Sequence, residues 1–285
     1  MAKRYNDLYI SARKALRDAG VEAYNLEARL LVAHAAGKTT ETLTRDMMLY
    51  TSDETELRLA PLLRRRLAGE PVAYITGEWE FYGLPVKVSR DVLIPRIDTE
   101  LLVDIAVRAL RGRKMDARVL DLCCGSGCIG CAIAHELPAA RVVLADVSAE
   151  ALEVCRENVK LNSLANRVTC MEADVTKAPP MLIGNFDLVV CNPPYIPTDD
   201  IIALDPSVRD WEPRMALDGG SDGLDYYRAV LKLWKGVLRH GGLLMFEVGF
   251  GEAEEVQKLM LMNGFLGVEI TRDTGGVDRV VSGRI

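Results

Sequence analysis

From Arg118 to the end of the chain, short apolar runs alternate with segments of helical period, and this alternation confines the fold to an α/β sheet. The runs at 118–122, 141–145, 168–171, 186–191 and 243–248 read as strands, with two more expected over 265–270 and 277–283. The segments 128–137, 149–161, 223–239 and 252–262 read as helices between them. Strands this continuously apolar suit a parallel sheet covered on both faces. The expected architecture is therefore a doubly wound, mostly parallel sheet.

One strand ends in an unusual way. The run Phe186-Asp187-Leu188-Val189-Val190-Cys191 is followed by Asn192-Pro193-Pro194-Tyr195. Two prolines cannot continue a ladder, and the residue before a proline is held extended. Asn192 is thus fixed at the carboxyl end of a strand, the edge where open α/β sheets bind ligands. An Asn side-chain oxygen and a proline carbonyl are both acceptors, and proline brings no competing N–H. Two convergent acceptors suit the two hydrogens of a planar NH2 group, with the Tyr195 ring as a flat wall. A plain proline-rich turn is the alternative reading.

The first strand leads into a second candidate site. Asp121 precedes Cys123-Cys124-Gly125-Ser126-Gly127, and Asp146 closes the next strand. The stretch 125–130 reads literally as G-x-G-x-x-G between strand and helix, the dinucleotide pattern, so a dehydrogenase is a fair competitor. Two details weigh against it. Asp121 favours a ligand carrying an ammonium group over a pyrophosphate, and the 192–195 loop has no role in hydride transfer. An acid, then glycines, then an acid at the end of the second strand suit S-adenosylmethionine, with Asp146 taking the ribose hydroxyls. Helix capping or surface charge is the plainer reading of both acids.

The rest of the chain sets bounds. A formal net charge of −6 and a pI near 5.3 argue against a domain that grips nucleic acid by its backbone. Arg64-Arg65-Arg66 is a local basic run of the kind that usually lies on a solvated helix face. No signal peptide is expected, and no stretch approaches the ~20 apolar residues of a membrane span. Seven cysteines without secretory features point to reduced thiols and a cytoplasmic protein. Cys123, Cys124, Cys128 and Cys131 lack standard metal-knuckle spacing, so no metal is expected. Residues 5–19, 24–36, 40–47 and 53–67 read as helices, with Leu8, Ala12, Ala15, Leu16 and Ala19 on one face and Leu26, Leu30, Leu31 and Ala35 on the next. His34 reads as partly buried. This bundle is either a partner-binding module or a cap. A β-hairpin is expected over 77–88, turning near Gly83. The expected divisions are a helical domain over 1–70, a hairpin linker over 71–95 and the α/β domain over 96–285.

At the level of motifs the chain resembles a known family. Asp121-Leu122-Cys123-Cys124-Gly125-Ser126-Gly127 is similar to the first motif of class I methyltransferases, with Cys123 where a glycine is usual. Asn192-Pro193-Pro194-Tyr195 resembles the motif of methyltransferases acting on planar nitrogen, shared by adenine-N6 and protein-glutamine enzymes. Four further stretches narrow the resemblance: 69–81, Leu93-Ile94-Pro95-Arg96 with Thr99-Glu100, Glu212-Pro213-Arg214 with Ala216-Leu217, and Asp278-Arg279-Val280. Together they look like the release factor glutamine methyltransferase (PrmC/HemK) family over nearly the whole chain, with Ile97 in place of a usual proline. The resemblance implies a Rossmann-like class I methyltransferase domain. It implies methyl transfer from S-adenosylmethionine, leaving S-adenosylhomocysteine, to the glutamine of the Gly-Gly-Gln motif in peptide chain release factors. Cys123 to Gly127 and Asp146 would hold the cofactor, Asp174 and Val175 would contact adenine, and Asn192 to Tyr195 would hold the glutamine. The helical domain and hairpin would help bind the release factor, with no direct nucleic acid or membrane partner. Alternatives are a ribosomal-protein glutamine methyltransferase, a nucleic-acid adenine-N6 methyltransferase, or a cofactor-binding module without catalysis.

The chemistry can be argued from the residues. An amide nitrogen is a poor nucleophile because its lone pair is delocalised. Acceptors at Asn192 and at the Pro193 or Pro194 carbonyl would bind both N–H groups and stabilise the positive charge growing on nitrogen. No dedicated general base is evident.

Overall fold

The N-terminal helices form where a periodic apolar face meets an end signal. The computed structural model describes residues 3–111 and 116–285. Two compact units are Met1–Glu78 with Pro206–Trp211, and Trp79–Asp205 with Glu212–Ile285. The first contains α1 (Tyr5–Asp18), α2 (Tyr24–Ala36), α3 (Thr40–Asp46), α4 (Asp53–Leu67) and the short α5 (Val72–Thr76). Thr39 and Ser52 cap α3 and α4 by accepting from the backbone N–H groups of Thr42 and Thr55 at 3.2 and 3.4 Å. Gly37 ends α2 in the left-handed region, at φ +63°.

Leu8, Leu16, Leu31, Val32 and Leu43 form the core of this unit. The inner face of α2 is rotated from the expected one. Leu26 is 51% exposed, whereas Ala28, Leu31, Val32 and Ala35 are buried, because α2 packs on both α1 and α4. His34 is exposed on the opposite side, not partly buried. The basic run is largely neutralised within the unit. Arg65 makes a two-pronged pair with Glu70 at 2.7 and 2.8 Å, and Arg66 pairs with Glu27 at 2.5 Å. The helix α5 falls where only a connector was expected; Pro71 starts it and Val72, Ala73, Tyr74 and Ile75 are buried.

The second unit opens with a hairpin, β1 (Glu78–Phe81) and β2 (Leu84–Lys87). Tyr82 and Gly83 both have positive φ, 53° and 72°, as a tight two-residue turn with the sheet's own twist requires. A 3-10 turn, Ile97–Thr99, leads into α6 (Glu100–Leu110). Strands and helices then alternate through β3 (Arg118–Leu122), α7 (Cys128–Glu136), β4 (Arg141–Asp146), α8 (Ala149–Leu161), β5 (Val168–Glu172) and β6 (Phe186–Cys191). The one-turn α9 (Pro206–Arg209) belongs to the first unit. The chain closes with α10 (Asp225–Ala229), β7 (Leu238–Glu247), α11 (Ala253–Met262), β8 (Leu266–Arg272) and β9 (Asp278–Arg284).

These strands form one seven-stranded sheet in the order β5-β4-β3-β6-β7-β9-β8. All neighbours are parallel except β7 with β9 and β9 with β8. The chain runs outward from β3 to β4 and β5, then returns to lay β6 on the other side of β3. The ends of β3 and β6 therefore flank the crevice where the strand order reverses, the place such sheets bind ligands. Leu122 pairs with Cys191, which sets Asp121 and Asn192 at adjoining strand ends.

The helix expected over 223–239 is broken. After α10 the chain takes a π-helical turn over Val230–Trp234 and a 3-10 turn over Lys235–Val237, and β7 begins at Leu238 instead of 243. The wide turn seats the buried Trp234, whose indole N–H donates to the carbonyls of Val175 and Lys177 at 3.1 and 3.0 Å. The early start of β7 is absorbed by a bulge between Phe186 and Leu188 in its pairing with β6. Burial of one aromatic and satisfaction of its N–H outweigh regular helix here.

Candidate active site

A cleft of about 510 Å³ opens at the carboxyl ends of β3, β4, β5 and β6. Cys123, Cys124, Gly125, Ser126, Asp146, Asp174, Val175, Asn192 and Pro194 all line it, although they come from four separate strand ends and the loops that follow them. The other singled-out positions stand behind this lining. Asp121 and Pro193 are buried, Gly127 turns the chain into α7, and the Tyr195 ring packs against Gly249. Burial pushes the Tyr195 phenol up to about 12. Tyr226 supplies an aromatic ring on the cleft itself.

The loop after β3 is held by its own acids. Asp121 Oδ2 accepts from the Gly130 N–H at 2.9 Å, and Asp146 accepts from Gly125 and Ser148 at 2.8 and 3.0 Å. Carboxylates thus occupy backbone donors that a pyrophosphate would need at this helix start, and two acids beside it would repel that group. The dinucleotide reading of 125–130 fails on this point. Cys123 has φ +55°, a left-handed conformation that costs a non-glycine residue about 1 kcal/mol. The chain keeps the glycine-like backbone at 123 without the glycine.

Asp121 is fully buried and its Oδ1 has no hydrogen-bond partner. Burial raises its pKa to about 8, with the Gly130 N–H pulling it down and Asp146 pushing it further up. A buried acid with a free oxygen beside a cleft is suited to a cationic ligand group. Its folded pKa lies above that of an exposed Asp, so the folded chain binds this proton more tightly than the unfolded chain. Its contribution to stability is therefore full below about pH 4 and is lost as pH rises to about 8. Urea unfolding of the protein alone should show stability falling between pH 5 and pH 8, and Asp121→Asn should flatten that slope. Glu247 and Glu252, both raised to about 7 mainly by burial, act in the same direction and leave part of it. An unchanged slope in the variant would remove Asp121 as its source.

Three contributors carry no signal that periodicity or spacing could reveal. Asn158 of α8 is buried and bonds three backbone groups. Its side chain accepts from Lys87 N–H at 2.6 Å and donates to the carbonyls of Lys87 and Ser126 at 3.0 and 2.9 Å. It ties the hairpin to the cleft loop. Asn158→Ala should cost about 2–3 kcal/mol, because buried backbone groups lose their partner; a loss below 1 kcal/mol in urea unfolding would contradict this. Thr99, on the cleft, accepts from Asn192 Nδ2 at 3.5 Å. Glu247 ends β7 beside Asn192 and is 2% exposed.

The motif stretches at 93–100, 212–217 and 278–280 converge on the same end of the sheet. Glu212, buried, pairs with Arg96 on the cleft and accepts from the Ile94 N–H at 3.2 Å. Arg279 pairs with Asp98 at 3.2 Å, one residue before Thr99. Ile196 hydrogen-bonds Leu217 and Gly219 at 3.0 and 2.8 Å, pinning the chain just after Tyr195. Arg214 pairs with Asp218 at 3.2 Å in that same segment.

Among the described residues, no group of three or more His, Cys, Asp or Glu side chains is placed to hold a metal ion, and no helix is long and apolar enough to cross a membrane. The cysteines pack as small apolar groups. Cys124, Cys128 and Cys131 are buried, and burial raises the thiol of each.

Comparison with known proteins adds three findings. Residues 97–202 match the family model for the methyltransferase small domain, and residues 7–77 match that for the PrmC N-terminal domain. Release factor glutamine methyltransferase of Geobacter sulfurreducens is 42% identical, over 96% of this chain and 94% of the relative; that of Agrobacterium fabrum is 39% identical over 96% and 95%. The solved hMettl16 catalytic domain shares the fold with a TM-score of 0.56, at 16% identity over 83% of this chain and 84% of that one.

Proposed function

The chain belongs to the release factor glutamine methyltransferase family, and from that premise we propose that it methylates the side-chain amide nitrogen of the glutamine in the Gly-Gly-Gln motif of a peptide chain release factor, with S-adenosylmethionine as donor. One observation supports this reading above the others. Asn192 and Pro194 line the same cleft as Asp146 and the 123–126 loop, so an amide acceptor and a cofactor cradle share one space.

The residues fit the proposed donor. The unpartnered Asp121 Oδ1 suits its ammonium group, and Asp146, on the rim, keeps lone pairs for ribose hydroxyls. Asp174 and Val175 are assigned to the adenine. The thiol of Cys123 is assigned to the cradle in place of a glycine, beside Cys124, Gly125, Ser126 and Gly127. Bound there, S-adenosylmethionine supplies an electrophilic methyl group on sulfur and leaves as S-adenosylhomocysteine.

The chain's own work is positioning. Asn192 Oδ1 and the Pro193 or Pro194 carbonyl accept from the two N–H groups of the incoming amide and turn its nitrogen toward the donor. As the lone pair engages, positive charge grows on that nitrogen, and fixed acceptors in a partly buried cleft stabilise it without reorganising. Tyr195 is assigned to hold the loop and the amide plane, through a ring braced on Gly249. The surplus proton leaves nitrogen after transfer. The helical domain over 1–70 and the hairpin linker over 71–95 are assigned to grip the release factor, leaving 96–285 as the methyltransferase domain.

The test is methyl transfer from S-adenosylmethionine to a purified release factor, read by peptide mass spectrometry. One methyl on the Gly-Gly-Gln glutamine is the expected result. Methyl on a ribosomal protein or on nucleic-acid adenine instead would keep the chemistry and replace the partner. No transfer to any of these would overturn the reading.

A further inference from the structure

We propose that Glu247, acting with Thr99, is a positioning residue that locks the Asn192 amide with its NH2 group turned inward and its oxygen turned to the cleft. The inference rests on the reading that Asn192 accepts from a substrate NH2 group. That role needs one of two nearly isosteric orientations of the amide, and shape alone cannot choose between them.

The sheet brings the needed partner alongside. β6 and β7 are parallel neighbours with Cys191 opposite Phe246, so Asn192 and Glu247 follow at adjoining strand ends. Glu247 is 2% exposed, and the Thr99 hydroxyl and the Asn192 amide lie beside its carboxylate and pull its pKa down against the effect of burial. Burial lifts Glu247 to about 7, and above that pH its ionised carboxylate only accepts, so the part of Asn192 that faces it is then the NH2 group. Thr99 reinforces the choice, since its Oγ1 accepts from Asn192 Nδ2 while its own hydroxyl proton serves Glu247. Both inward contacts claim the Asn192 nitrogen, which leaves Oδ1 for the cleft. Arg279 of β9 favours the charged carboxylate, while Asp98 opposes it. Tyr195 and Tyr227 also lie within electrostatic reach of Glu247, and the Tyr227 hydroxyl donates to its backbone carbonyl at 3.0 Å. Glu247 Oε2 has no hydrogen-bond partner.

The experiment uses the full chain with a release factor and S-adenosylmethionine. Glu247→Gln offers Asn192 either a donor or an acceptor and releases the lock. It should lower kcat about thirtyfold with the KM for S-adenosylmethionine within twofold, and Thr99→Val should lower kcat about fivefold with the same split. Asn192→Asp alone sets two carboxylates face to face and should be nearly inactive. Combined with Glu247→Gln, the new amide can donate to one oxygen of residue 192 and leave the other for substrate. That double variant should turn over at least tenfold faster than Asn192→Asp, a rescue that a structural role does not give. Wild-type kcat in Glu247→Gln, or losses that multiply in the double variant, would overturn the proposal. If Glu247→Gln fails to fold, Thr99→Val with wild-type kcat overturns it equally. A second readout does not need catalysis. The Asn192 side-chain NH2 signal, assigned by its loss in Asn192→Asp, should exchange slowly with solvent in the wild type and faster in Glu247→Gln. Equal exchange overturns the lock even if no methyl transfer is found, whereas absent transfer with slow exchange overturns the reading it rests on.

Discussion

Asn192→Ala should lower turnover about a thousandfold while leaving the dissociation constant for S-adenosylmethionine within about threefold. The size follows from what is removed. One preorganised acceptor aimed at developing charge is worth roughly 10²–10³ in kcat, and the same atom also fixes the attack geometry of the nitrogen. The selectivity follows from the fold. Asn192 extends β6, whereas the 123–126 loop extends β3 and is held by Asp146 and by the Cys124 N–H to the Ala145 carbonyl at 3.1 Å. Truncation leaves those bonds in place. Calorimetric binding and single-turnover transfer on the same preparation check both halves. Turnover within tenfold of wild type would remove Asn192 from the chemistry, and a comparable loss of cofactor affinity would move it into the cofactor cradle.

Gly219→Ala should reduce turnover about a hundredfold without touching a reacting group. A methyl added at Gly219 would lie 2.7 and 2.8 Å from the Cα and carbonyl carbon of Tyr195, and 2.9 Å from the Gly223 carbonyl oxygen. These are backbone atoms, so no side chain can swing aside. The added carbon must push Tyr195 back along the loop and displace Pro194 and Asn192 with it. Overpacking of this kind costs about 1–3 kcal/mol of stability, and a displacement near 1 Å costs about 10² in rate. The variant should still fold and bind S-adenosylmethionine, and its thermal midpoint should drop by a few degrees. Wild-type kcat with the same drop would mean that the loop tolerates the push.

Much of the fold was legible because its signals are local. The apolar runs, the helical periods and the hairpin turn near Gly83 each depend on a few neighbouring residues. The expected strands duly appear in one mostly parallel sheet. The broken segment after Asp225 was not legible. Its sequence has good helical period, and the break comes from Trp234 reaching carbonyls at 175 and 177, more than fifty positions away. Leu26 and His34 misled for a related reason. The inner face of α2 is chosen by where α1 and α4 lie against it, and the helical period fits more than one choice.

The cleft divides the same way. Asp121, Asp146 and the Asn192 loop stand out in the sequence because prolines and glycines mark strand ends, and a strand end in this sheet class is where ligands bind. Their meeting in one cleft follows from the strand order, which returns β6 to the flank of β3. The residues behind the cleft are different. Asn158 is an ordinary helix position, Thr99 an ordinary helix start, Gly219 one of many loop glycines and Glu247 an acid after an apolar strand. Each matters through one backbone or side chain that the chain brings near from far away in sequence. Periodicity and turn chemistry are short-ranged, so residue order alone settles which elements form and where each must stop. Burial, the sharing of hydrogen bonds and the fit of a missing Cβ are pair properties of the folded chain, and only packing selects which partner each of these residues has.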